Sequence, residues 1–325
     1  MTDTARRAVL TLALGQPVYI QMAANLARSF RYWHRRSDIR FAVATDQPEH
    51  LPPDVREGVE TVPVDAGQYG TGFSPKLHMD KLAPAEETLF IDADCLVAGS
   101  LEPVFERFDG HEVSVIGQMM SSGEWWGDIA TRRRKLDVAE VPVFVGGVYY
   151  LRKSTASRRV YETARELEAR YEELGMVKLR GVPNEEPLVS LGMALHGQRP
   201  VPDDGSIKAD AMCFPSGIEF DVFEGHSVFR NNTDREFSML SLQEARPVIG
   251  HFNDRFAERD PYTHEATRLR KVLADGWPLT AAGAYAKARH TLPQHTVRTT
   301  KEVLRPLYHR IFGTREVTQS ARFPD

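Results

Sequence analysis

Cysteine is scarce: the 325-residue chain contains two, Cys95 and Cys213. Two thiols cannot build a cross-linked secreted scaffold, and their number suits a reducing compartment. Long apolar runs are also missing. None approaches the roughly 20 residues that a membrane span requires. Positive charge is not in excess, since 41 Lys and Arg stand against 45 Asp and Glu for a net charge of −4. No global basic field therefore points to nucleic acid. A leader-like start is only half formed. Arg6-Arg7 precedes an apolar stretch over 8–14, but Gln16-Pro17-Val18-Tyr19 follows where small residues would mark cleavage. The stretch is better read as a first core strand, and the expected location is cytoplasmic. No internal repeat or low-complexity tract is found.

What the chain does contain is an ordinary globular composition, 42% hydrophobic and 26% charged, long enough for one large domain with an appendage. The apolar run 8–14, broken by Gly15, predicts a buried strand. Pro17 suits the first turn of a helix, and Ile20, Ala23, Ala24, Ala27 and Phe30 continue at helical spacing. Strands are predicted over 39–45, 61–64, 88–91, 113–117 and 143–150, and a short helix over 76–82. Val160, Ala164, Leu167, Tyr171 and Leu174 predict one amphipathic helix closed by Gly175. Asn184 is placed to cap another that runs to about His196. Alternating strands and helices imply an α/β fold with a mainly parallel sheet. Beyond about residue 255 helical signals dominate. This divides the chain into a main domain, 1–255, and a helical C-terminal extension, 256–325.

The most informative segment is Thr88-Leu89-Phe90-Ile91-Asp92-Ala93-Asp94-Cys95-Leu96-Val97. Residues i and i+2 of an extended chain face the same side. Asp92 and Asp94 therefore converge at a strand end, on the edge where open α/β sheets hold ligands. Two carboxylates there repel each other, and a hard divalent cation with a diphosphate resolves that cost. A strand-end turn is the plain alternative. His251 ends a second apolar strand, 247–252, either as a hydrogen-bonded core residue or as a ligand completing a cation site. Lys76 is either a solvated lysine or a fixed ammonium near a leaving group. Asn184-Glu185-Glu186-Pro187 satisfies helix-capping rules, yet also offers a carboxylate to a reacting sugar carbon.

Taken in order, these segments resemble glycosyltransferases of the GT-A fold, closest to family 8, the retaining group that includes glycogenin. The resemblance covers about residues 8–255. It is carried by Thr11–Tyr19, Lys76-Leu77-His78, the Asp-Ala-Asp segment, Phe144-Val145-Gly146-Gly147-Val148, Glu185-Glu186 and His251. It implies a three-layer α/β/α Rossmann-like domain with a mainly parallel mixed sheet, and a nucleotide-diphosphosugar donor, UDP-linked, held through Mn2+ or Mg2+. Asp92, Asp94 and His251 are its implied metal ligands. Ala13, Leu14, Gly15, Gln16 and Tyr19 are implied to hold the base and ribose, with Asp92 and Ala93 alongside. Lys76 is implied to contact phosphate or sugar. Glu185 and Glu186 stand where the family has Asp-Gln, so a carboxylate for retention and a base for inversion both stay open. Val145 and Gly146 replace a polar pair. The Gly and Lys expected after His251 are absent, so Arg255 or Arg259 is the candidate diphosphate cation. A sugar nucleotidyltransferase and a non-catalytic binding module of the same fold are the alternatives. The former would need a Gly-rich basic loop that Gly15-Gln16-Pro17 does not make. The acceptor (glycan, small molecule or lipid) and the oligomeric state are left open.

Two further features stand apart. Trp125-Trp126, ahead of Arg132-Arg133-Arg134-Lys135, is expected to pack on the core, with an acceptor loop as the alternative. Val303, Leu304, Leu307, Tyr308 and Ile311 form an apolar stripe among Arg298, Lys301, Arg305 and Arg310. Docking of that stripe on the domain is expected, and contact with the inner face of an anionic membrane is the alternative.

Overall fold

Strands buried on both faces organise the computed structural model, which describes residues 6–231 and 242–313. In chain order the strands are β1 (Arg7–Ala13), β2 (Arg40–Thr45), β3 (Glu60–Pro63), β4 (Glu87–Ile91), β5 (Cys95–Val97), β6 (Val113–Met120), β7 (Val141–Arg152), β8 (Val201–Pro202), β9 (Lys208–Asp210), β10 (Gly217–Asp221), β11 (His226–Arg230), β12 (Glu244–Ala245) and β13 (Ile249–His251). The main sheet runs β3-β2-β1-β4-β7-β6-β8. β7 alone is reversed, antiparallel to both β4 and β6, while the other neighbours are parallel. Two small sheets, β5-β13-β9 and β10-β11-β12, sit beside it.

The strand period of two feeds two cores. Leu10 and Phe90 face one, and Val9, Leu89 and Ile91 face the other. Each buried Leu or Phe contributes about 2 kcal/mol. The helix Pro17–Trp33 covers the second core through Ile20, Ala23, Ala24, Ala27 and Phe30. The helices Thr155–Glu168 and Glu185–Leu195 cover the first through Val160, Ala164, Leu167, Leu188 and Leu191. At the sheet end away from the aspartates, Glu87 is 2% exposed and gathers Arg6 at 2.8 Å, Arg7 at 2.9 Å and Arg152 at 3.2 Å. That carboxylate ties β1, β4 and β7 together.

Three expectations need correction. The segment 76–82 is two short pieces, a 3-10 turn over Ser74–His78 and a helical turn over Met79–Leu82. The amphipathic helix ends at Glu168. Tyr171 and Leu174 are buried by the turns that follow, where Tyr171 Oη donates to Val177 O at 3.1 Å and accepts from Asn184 N at 3.1 Å. Finally, the apolar stripe of the last helix, Leu292–Phe312, is not docked: Val303, Leu307 and Ile311 are exposed. The first helix of the extension, Tyr262–Leu273, does pack, with Tyr262 and Leu269 in a third core that holds Phe220 and Phe252. The end of the basic segment, 314–325, lies outside the described residues.

Candidate metal centre

β4 ends at Ile91, and the chain turns through Asp92, Ala93 and Asp94 into β5. Asp92 N donates to Gly147 O at 2.9 Å and Cys95 N to Asp92 O at 3.0 Å, which fixes the turn. The small sheet then delivers the imidazole. β13 pairs antiparallel with β5 and parallel with β9, setting His251 opposite Cys95 and Asp210. His251 Nε2 lies 3.2 Å from Asp94 Oδ1 and 3.9 Å from Asp92 Oδ2. Its Nδ1 meets Asp210 Oδ1 at 2.5 Å. Asp210 is itself held by Lys208 Nζ at 2.5 Å, and that ammonium also donates to Val145 O and Gly146 O at 3.0 Å.

The electrostatics follow from this chain of contacts. Burial alone would lower the His251 pKa, but Asp94 and Asp210 outweigh it and raise it to about 10. Burial would raise Asp94, yet His251 keeps it below the ordinary carboxylate value. Asp210 is likewise held down, to about 2, because Lys208 and His251 overcome its burial. A carboxylate behind one ring nitrogen, with the other nitrogen free to face outward acids, is how metal-ligating histidines are oriented. Ligand atoms of Asp94, Cys95 and His251 lie within 4.8 Å of one another, a group able to hold a metal. Cys95 is the weak member. Burial pushes its thiol well above the usual range, and a neutral thiol is a poor partner for a hard ion. Asp92, Asp94 and His251 suit a divalent cation better in donor chemistry.

Lys76 Nζ sits 2.8 Å from Asp92 and 2.9 Å from Glu185 Oε1. Burial works against its charge, but the two carboxylates raise its pKa overall. The Asn184 side chain caps the following helix by accepting from Glu186 N at 3.0 Å. The two glutamates differ. Glu185 Oε1 also accepts from Tyr149 Oη at 3.1 Å, while Glu185 Oε2 is buried without a hydrogen bond. Glu186 accepts from Trp126 Nε1 at 2.6 Å on one oxygen and from Gly146 N at 2.8 Å on the other. Glycine is required on the facing strand. A Cβ at Gly146 would lie 2.8 Å from Glu186 Oε1, and one at Gly147 (φ +111°) would lie 2.7 Å from His251 Nδ1.

These groups border one cavity of about 560 Å³, lined in part by Leu14, Tyr19, Lys76, Asp92, Ala93, Asp94, Glu185, Glu186, His251 and Arg255. Three residues expected at the nucleotide do not line it. Ala13 turns into the second core, Gly15 N donates to Asp46 at 3.1 Å, and Gln16 is the exposed residue before the first helix. Arg259 does not line the cavity either. Sequence reasoning missed Asp210, Lys208 and Tyr149. It also read the Trp pair as one unit. Trp125 packs in the first core as expected, whereas Trp126 reaches Glu186. Arg132, from the basic run, is buried and donates to Trp125 O at 2.5 Å and Trp126 O at 2.8 Å. Burial lowers its pKa to about 10.

No protein-family profile matches the chain, and no curated protein does. Solved structures do match. A galactosyltransferase, LgtC, in complex with donor and acceptor sugar analogues is 13% identical, over 82% of this chain and 95% of that one, with a TM-score of 0.52. An active-site mutant of LgtC is 14% identical, over 85% of this chain and 99% of that one, with a TM-score of 0.50. At such identity the likeness is one of fold. A mixed Rossmann-like sheet between helices, extended by C-terminal helices, gives this chain the GT-A fold.

Proposed function

We propose that this chain is a metal-dependent glycosyltransferase, which moves a sugar from a nucleoside-diphosphate sugar, UDP-linked, to an acceptor. One observation carries the reading: His251 Nε2 stands 3.2 Å from Asp94 and 3.9 Å from Asp92 at the cavity edge of the sheet. Asp92, Asp94 and His251 would hold Mn2+ or Mg2+. Such an ion neutralises a diphosphate as it leaves. Lys76, charged and fixed, adds positive charge to the same wall. Tyr19, 43% exposed and lining the same cavity, offers a ring to the base. Arg255 supplies a cation after His251.

Glu185 is the better carboxylate to attend an oxocarbenium-like carbon. It keeps one oxygen without a partner, whereas both oxygens of Glu186 hold neighbouring donors. Glu186 acts as a positioning residue that joins β7 to the tryptophan loop. The test is calorimetry of UDP with and without Mn2+, followed by a thermal-shift screen of nucleotide sugars. UDP at 100 times its dissociation constant should add about 2.7 kcal/mol of stability. Binding that does not need the metal removes the proposed role of the three ligands.

A further inference from the structure

We propose that the last helix is a docking element for an anionic lipid surface, lying on the bilayer rather than crossing it. The proposal does not depend on the sugar-transfer reading. The helix Leu292–Phe312 has 21 residues and spans about 31 Å. Leu292, Val303, Leu304, Leu307, Tyr308 and Ile311 fall on one side at 100° per residue, and all are between 46% and 70% exposed. Lys301, Arg305 and His309 fall on the other side. The root of the helix is tied to the body. Thr291 Oγ1 donates to Asp260 Oδ1 at 3.1 Å, and Asp260 N donates to Gln294 Oε1 at 2.8 Å.

An uncovered stripe of this size marks an interaction site. Charge selects the occupant. Residues 287–325 hold eight Lys or Arg and three acids, a net +5, so the whole chain's −4 leaves −9 for residues 1–286. An anionic bilayer accepts both faces of such a helix: the apolar side enters the headgroup boundary and the basic side meets the headgroups. The acidic body is repelled, which orients the molecule. A second copy of this helix would bring like charges together. No helix among the described residues is long and apolar enough to cross a membrane, which leaves the surface mode.

The test uses the full chain with vesicles of phosphatidylcholine, alone or with phosphatidylglycerol, followed by sedimentation. Partition onto the anionic vesicles should exceed that onto neutral ones by on the order of tenfold and fall with added salt. The double variant Leu304→Glu, Leu307→Glu should lose binding by at least about tenfold, with an unchanged thermal unfolding curve because both positions are exposed. Lys301→Glu with Arg305→Glu should weaken only the anionic component. Equal partition of wild type and the leucine variant overturns the proposal. So does a chain that binds no vesicle and sediments as a dimer until those leucines are replaced, since a second copy would then cover the stripe.

Discussion

Glu186 and Gly146 make sense only as a pair. Glu186 takes one donor from the backbone of β7 and one from Trp126. Gln in its place must present its amide NH2 to one of those donors. Glu186→Gln should therefore cost about 1–3 kcal/mol in chemical denaturation, while Glu185→Gln should chiefly lower turnover with donor affinity little changed. If neither slows transfer, the reacting carboxylate lies elsewhere. Asp94→Asn should abolish donor turnover and leave the fold intact; near-normal turnover removes Asp94 from the site. Asp210→Asn should weaken Mn2+ binding about 10–100-fold without touching the ion. His251 adds a pH signature. Its proton is held more tightly in the folded protein, at about 10 against 6.5. The stability it confers without metal is complete below pH 6.5 and is lost as pH rises through about 10. A cation at Nε2 displaces that proton, so apparent Mn2+ affinity should climb with pH across the same window. Calorimetry in buffers of different ionisation heat checks this by counting the released proton. Asp92, Asp94 and His251 were legible because each ends an apolar run. Asp210 was not, since a lone acid in Lys-Ala-Asp has no pattern around it.

Elements were legible where periodicity had room to act. The apolar strands β1, β2 and β4 lie within a residue of expectation, and the long first helix starts at Pro17 as expected. Of the small sheets, β13 falls inside the strand expected over 247–252, whereas pieces such as β5, β9 and β12 escaped because they are two or three residues long, too short for a period to show. The helix after β7 was overextended because residues buried in its trailing turns keep helical spacing by coincidence. Two elements invite tests. Glu87→Gln breaks the fan that joins β1, β4 and β7, and should cost about 1–3 kcal/mol, since its arginines are partly solvated. Arg132 ties down three successive carbonyls of the tryptophan loop. Arg132→Gln should free Trp126 from Glu186, read as a change in tryptophan emission and a loss of stability.

At the scale of the molecule, the alternation of strands and helices was enough to give an α/β fold, because parallel strands buried on both faces leave continuous apolar runs. The mixed sheet that the resemblance implied is present, but which strand reverses was not legible, as direction leaves no mark on composition. The fate of the last helix was misjudged for a related reason: spacing reveals that a stripe exists, not what covers it. The third core shows where the extension does join the body, through Tyr262 and Leu269.

The imidazole rides on a three-residue strand wedged between two others of equal length. Its position is therefore only as firm as a handful of backbone bonds. Substitutions that fray this narrow ribbon without replacing a ligand should surface first as a demand for more manganese and only later as lost folding.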